Sequence, residues 1–333
     1  MKTKIILEAG VNHNGSIKIA KKLIDCAKES GADYVKFQSF ITDELVLPNT
    51  KLAKYQKKNL GKKISQYEML KKLEISKEFT IELIKYCKLK NIKFLSSVFG
   101  FKSFKLLNSL GIKEIKVPSG EINNIPLLKY ISNFKKKIII SSGMSTFSEV
   151  KEAIKILTSN KINKKDIVLL HCNTDYPTKL SDINLNAMVD MGKKLKIKYG
   201  YSDHSESLLV PIIASAMGAT LIEKHITISK KKSGPDHKAS LEVKDINTLV
   251  SNIKKVNLIK GLSQKIVTKS EKKNIKIVRK SIYARVYIKK GEIFTFENLK
   301  ICRPAGGLNP SDIYKLLKKK SKKNYKENQK ITK

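Results

Sequence analysis

The sequence predicts an α/β chain in two parts: a (β/α)8 barrel of the TIM type, then a small β-rich domain. Three observations predict it. Short β-branched runs alternate eight times with amphipathic segments whose apolar residues recur at i, i+3, i+4 and i+7. The turn after the first run reads EAGVNHNG rather than GxGxxG, which argues against a doubly wound nucleotide-binding sheet. Beyond GLSQKIV the alternation stops, and SIYARVYI, a KKGE turn and KICR read as short strands.

Taken in order, the strand-like runs are 4–8, 33–37, 92–96, 112–117, 137–141, 166–171, 197–201 and 219–223. Helical segments follow each at about 16–30, 76–90, 101–110, 124–133, 146–159, 183–194, 206–217 and 242–259. One connection is unusually long. Residues 39–75 separate the second run from its helix, and a link of that length is expected to serve the site at one mouth of the barrel. The expected organisation is a barrel over 1–262, a lysine-rich linker over 263–278 and a small domain over 279–333, with a tail that frays from about 317.

The 333 residues are 41 % apolar, enough for a large core. No run of 18 uncharged apolar residues occurs, and the first apolar run is three residues long before Glu8. The expectation is a cytoplasmic protein. The cysteines, Cys26, Cys87, Cys172 and Cys302, are scattered without a CxxC pair, so neither a disulfide framework nor a cysteine zinc site is expected. The net charge of +39 raises a nucleic-acid or polyanion-binding alternative. Against it, only Arg279, Arg285 and Arg303 are arginine, the residue that forks onto phosphates and bases. The lysines lie along helical faces, as in IKIAKKLIDCAKES.

Barrel enzymes carry their chemistry at the C-terminal ends of the strands. Here each run ends in polar residues. Glu8 precedes Asn12, His13 and Asn14. Lys36 and Gln38 follow, then Ser96 and Ser97, then Lys116, Ser119 and Glu121. Ser141 and Ser142 close the fifth run; His171, Asn173, Thr174 and Tyr176 close the sixth. Ser202, Asp203 and His204 end the seventh; Glu223, Lys224 and His225 end the eighth. Two lysines, hydroxyls and glycine-flanked backbone suit a phosphate or carboxylate. His204 and His225 on neighbouring strands make an open divalent site, too poor in ligands for structural zinc. Either histidine alone also fits a hydrogen-bonded core position, and Lys36 alone fits a Schiff-base lysine or a rim charge. Glu8 stands in an apolar strand, where a buried carboxylate needs a partner or a role.

Ten blocks then resemble, in order, the N-acetylneuraminate (sialic acid) synthase family: EAGVNHNGS, VKFQSF, SQYEMLKKLEIS, KVPSGEINNIPLL, ISSGMST, LLHCNTDYP, GYSDHS, IEKHIT, SGPDHKASLE and CRPAGGLNP. The resemblance implies a C-terminal SAF (antifreeze-like) domain and a domain-swapped homodimer. It implies a transferase that condenses phosphoenolpyruvate with open-chain N-acetylmannosamine and releases phosphate by C–O cleavage. The implied cofactor is a divalent metal, Mn2+ with Mg2+ or Co2+ as alternatives, on His204 and His225. Lys36, Lys116, Ser119, Ser141, Thr174 and Ser202 resemble the phosphoenolpyruvate clamp. Glu8 resembles the carboxylate that handles water or a proton, and Gln38, Tyr176, Asp236 and Arg303 resemble sugar contacts. An alternative within the chemistry is a legionaminate or pseudaminate synthase acting on a 2,4-diacetamido-6-deoxyhexose. Two departures stand out. Val98 replaces the family's usual proline and is expected to reshape a pocket wall, and YKLLKKKSKKN suggests a differently finished small domain.

Overall fold

The computed structural model describes residues 2–60 and 64–333, and divides into two compact units, 1–261 and 262–333. In the first unit eight parallel strands close on themselves: β1 Lys4–Gly10, β2 Tyr34–Phe40, β3 Lys93–Phe99, β4 Glu114–Val117, β5 Lys137–Ser141, β6 Ile167–His171, β7 Lys198–Asp203 and β8 Leu221–His225, in that order. The strands run two or three residues past several predicted ends, because the polar strand ends stay in the ladder.

Strand periodicity sorts the side chains into two layers. Outward residues such as Leu7, Val35, Ile138 and Ile140 pack beneath the helices. Inward residues Ile6, Tyr34, Leu95, Ile139, Leu170 and Leu221 form a separate apolar cluster. That cluster plugs the barrel, so the polar ring above it is the floor of a site and not the wall of a pore. The register then lifts specific groups to one height. Glu8 pairs with Lys36 on one side and with His225 on the other, and Ser202 pairs with Glu223.

The surrounding helices follow from caps and apolar stripes. Ser16 caps Ile17–Glu29, Ser76 caps Lys77–Leu89, and Thr146 with Glu149 forms a capping box on Phe147–Leu157. The long excursion after β2 carries the helices Thr42–Leu45, Lys54–Leu60 and Gln66–Lys71. Its apolar residues Met69 and Leu73 pack with Val11 and Phe40 into a cluster of their own.

Val98 lies in β3, fully buried among the outward residues, so its replacement of proline touches the helix layer and not the cavity wall. No helix among the described residues is long and apolar enough to cross a membrane. All four cysteines are free thiols.

The second unit corrects two expectations. The segment 263–278 is not a plain linker: it contains a helix, Lys269–Val278, started by a capping box between Thr268 and Glu271. The tail beyond 317 does not fray. Bridges join Tyr283 to Lys330, Ile288 to Tyr325 and Ile293 to Lys320, around the antiparallel pair β9 Ser281–Ala284 and β10 Leu299–Cys302. Tyr325 and Ile331 complete a small core with Ile282, Ile288, Phe294 and Leu299. Two buried apolar anchors hold a lysine-rich segment that composition alone marks as unfolded.

Candidate active site

A cavity of about 170 Å³ opens at the C-terminal end of the barrel. It is lined by Glu8, Lys36, Gln38, Lys116, Ser119, Ser141, Thr174, Tyr176, Ser202, His204 and His225, so eleven of the thirteen residues named from sequence converge there. Asp236 lines an adjoining chamber, and Arg303 belongs to the second unit.

The lysines are held by carboxylates. Lys36 Nζ lies 2.8 Å from Glu8 Oε2 and 3.6 Å from Glu223 Oε2, and donates to Ser97 Oγ at 3.0 Å. The Glu8 contact is an ion pair by distance, but Oε2 receives no directed hydrogen bond. Glu8 Oε1 accepts from Gln38 Nε2 at 3.0 Å. Lys116 Nζ donates to both oxygens of Glu223 at 3.1 Å, and Ser202 Oγ donates to Glu223 Oε1 at 2.8 Å. All four charged groups are at most 3 % exposed.

Burial acts differently on each. It raises the Glu8 carboxyl above its ordinary range, with Lys36 only partly offsetting and Glu223 adding to the rise. Burial also opposes ionisation of Glu223, but Lys116 and Lys36 outweigh it and hold Glu223 ionised. Burial lowers Lys116. For Lys36 burial is outweighed by Glu223 and Glu8, which raise it. Two lysines are therefore partly neutralised by glutamates before any substrate arrives.

Opposite them, His204 Nδ1 faces the carbonyl of Asn173, which can only accept. Nδ1 therefore carries the proton, and Nε2 presents its lone pair to the cavity, 3.2 Å from the donating Tyr176 hydroxyl. Tyr176 stacks on the His204 ring at 4.1 Å, and the His204 and His225 rings stand 5.4 Å apart, edge to face. Burial lowers His204 to about 4 and His225 well below its usual value, so both are neutral near pH 7. The His225 Nδ1 atom is buried without a partner. No group of three or more His, Cys, Asp or Glu side chains gathers as a full metal-ligand set among the described residues. Two neutral imidazoles with one oriented lone pair do fit an open site that leaves coordination positions for water or substrate.

A polar corner lies between the ends of β4, β5 and β6. Gly143 N donates to Ser119 Oγ at 3.0 Å, and Ser141 Oγ is buried with no partner. A β-carbon on Gly143 would stand 2.7 Å from Thr174 Cγ2 and 2.8 Å from Ser119 Oγ, so this turn needs glycine for the two strand ends to meet. An orphaned hydroxyl in a crowded polar corner is a position awaiting an acceptor.

Behind the strand ends, Asp203 and Lys224 form a further buried ion pair at 2.6 Å. Asp203 Oδ1 accepts from Ser205 N at 2.9 Å, and Lys224 Nζ also reaches the Ser205 carbonyl. The pair thereby clamps the turn that carries His204.

Sequence reasoning noted Glu223 at a strand end but gave it no role; the inward period of β8 places it on the same face as His225 and so marked it. Ser97, named at a strand end but likewise without a role, also lines the cavity, as do Phe99, Met144 and Cys172, to which the sequence assigns no part in the site. His13 and His171 stay in the scaffold: His13 Nδ1 accepts from Gly15 N, and His171 Nε2 bonds the Ile183 carbonyl.

The profile of the NeuB family matches residues 23–265. The chain belongs to the NeuB family. Two curated NeuB-like relatives are N,N'-diacetyllegionaminic acid synthases. The one from Campylobacter jejuni is 47 % identical over 99 % of both chains. The one from Legionella pneumophila is 42 % identical over 93 % of this chain and 87 % of its own. Among solved structures, the N-acetylneuraminic acid (sialic acid) synthetase of Leptospira borgpetersenii, in complex with citrate, is 30 % identical with a TM-score of 0.71. The match covers 83 % of this chain and 90 % of that one.

Proposed function

We propose that this NeuB-family chain condenses phosphoenolpyruvate with the open-chain form of a 2,4-diacetamido-6-deoxyhexose, giving a legionaminic-type nine-carbon acid and phosphate. The observation that carries the reaction class is the convergence, in one cavity, of two buried lysines, the unpartnered Ser141 hydroxyl and two neutral imidazoles. Both curated relatives described above are legionaminic acid synthases, which favours the diacetamido sugar over the N-acetylmannosamine expected from the sequence.

In this reading Lys36 and Lys116 attract the anionic groups of phosphoenolpyruvate, and Ser119, Ser141, Thr174 and Ser202 orient them by hydrogen bonds. Glu223 offsets one of the two positive charges and holds both ammonium groups in position for the ligand. A divalent ion on His204 and His225, Mn2+ foremost, would polarise the sugar aldehyde as a Lewis acid when bound. C3 of phosphoenolpyruvate forms the new bond to the aldehyde carbon as the C=O π bond breaks, and the aldehyde oxygen takes up a proton from solvent to become a hydroxyl. Water adds at C2, and the C2–O bond to phosphate breaks. Glu8, whose burial raises its proton affinity, takes the proton of the attacking water. Gln38, Tyr176 and Asp236 face the sugar. We also take the second unit as a SAF-type domain and Arg303 as a sugar contact made in a homodimer; the support is the motif CRPAGGLNP.

The test is phosphate release from phosphoenolpyruvate with Mn2+, using the diacetamido sugar and N-acetylmannosamine in parallel. Release should be abolished by EDTA and by the His204→Ala/His225→Ala double substitution, and the diacetamido sugar should give the higher kcat/KM. A folded protein that releases phosphate with neither sugar, or that is indifferent to EDTA, contradicts the proposal.

A further inference from the structure

Beside the reaction cavity lies a second chamber of about 260 Å³. The two share a wall of Gln38, Phe99, Tyr176 and His225. Much of its far side is apolar: Phe40 at the end of β2, and Leu45, Val46, Met69, Leu70 and Leu73 from the long excursion that follows. Phe40, Met69 and Leu73 are buried in their own small cluster, while Leu45, Val46 and Leu70 stay half-open. Apart from the weakly accepting thioether of Met69, none of these six side chains can donate or accept a hydrogen bond. Tyr55, Gln56, Gln66 and Asp236 line the same chamber, and part of this polar lining is engaged. Gln56 Oε1 accepts from Ala53 N at 3.0 Å, and Gln56 Nε2 donates to Tyr55 OH at 3.3 Å.

Given the reaction proposed above, the aldehyde end of the sugar reacts between His225 and Glu8, so its distal carbons extend across the shared wall. Where they lie against Leu45, Val46 and Leu70 they meet a surface that solvates methyl groups and leaves a hydroxyl unpaired. We infer that Leu45, Val46 and Leu70 determine sugar specificity, by seating a methyl terminus and an acetamido methyl where a hydroxymethyl and a hydroxyl would lose their hydrogen bonds. An apolar contact surface discriminates against an added hydroxyl by only about 100-fold, so the preference is graded and not absolute.

Two near-isosteric substitutions, Val46→Thr and Leu45→Asn, put a polar group on this wall with little change of volume. Thermal melts establish that each variant is folded. The expected result is a fall of roughly tenfold or more in the ratio of kcat/KM for the 2,4-diacetamido-6-deoxyhexose over that for N-acetylmannosamine. An unchanged ratio in both folded variants overturns the inference. Saturation-transfer NMR on the diacetamido sugar with full-length protein gives a readout that needs no turnover. The C6 and acetamido methyl signals should take up the most saturation, and Leu45→Asn should weaken them selectively. Uniform uptake around the ring overturns the inference. Methyl saturation from a protein that releases no phosphate would uphold this wall while removing the reaction proposed above.

Discussion

Asp236 is a buried carboxyl whose charge changes near neutral pH. Burial, with Glu8 adding to it and Lys36 opposing it, lifts its carboxyl to about 7. It is thus protonated below that pH and ionised above it, and the proposed sugar chamber changes charge within the working range. kcat/KM should show a limb near pH 7 that Asp236→Asn removes, with a loss of about 1.5–3 kcal/mol, roughly ten- to a hundredfold, if a hydrogen bond to the sugar goes with it. A pH–rate comparison of the two proteins checks this; an unchanged limb would assign it to another group. The site residues were legible one by one because each polar residue interrupts an apolar run at a strand end. Their partners were not. Nothing in the spacing says that Lys116 bonds Glu223 and not Glu8, since the 107 positions between them close only in the folded barrel.

Between elements, the junction of β7 and β8 has its own requirement. Asp203 and Lys224 are opposed in register and shielded from solvent. Removing one member leaves a buried charge without its counterpart. Lys224→Met should cost about 3–5 kcal/mol, read as a lower denaturation midpoint in urea. Adding Asp203→Leu should recover most of that, because an apolar pair avoids the desolvation both ions suffer. If the double variant stays as unstable as the single one, the Ser205 contacts dominate over the ion pair. The elements themselves were legible. Every barrel strand and its following helix appears where the period changed, with boundaries displaced by a few residues. The helix Lys269–Val278 was read as linker because lysine dominates it, although its Thr268–Glu271 capping box was in the sequence.

For the whole molecule, acid is the expected weakness. Burial depresses His13, His204 and His237 to about 4, against 6.5 for the ordinary imidazole. Their folded values lie below the unfolded ones, so the unfolded chain binds more protons between these limits, and stability falls as pH drops from 6.5 towards 4. For fully buried His13 alone the loss approaches about 3 kcal/mol, at about 1.4 kcal/mol per pH unit. The net charge of +39 adds self-repulsion that grows as carboxylates protonate. Melting temperature should decline steadily over that window, and salt should restore part of it by screening. A flat profile down to pH 4 would mean that the imidazoles are not buried neutral.

The sequence by itself determined the strand–helix order, the barrel, the polar ring at the strand ends and membership of the sialic acid synthase-like family. These depend on local periodicity and on short motifs, which survive without any knowledge of distance. Tertiary structure alone decided which carboxylate neutralises which lysine, which histidine nitrogen faces the cavity, and that the excursion after β2 builds an apolar chamber. It also decided that the lysine-rich tail folds. Each of those outcomes depends on residues far apart in the chain being desolvated together, and the energy of a buried charge, an oriented lone pair or a methyl-lined wall exists only once the barrel has closed around it.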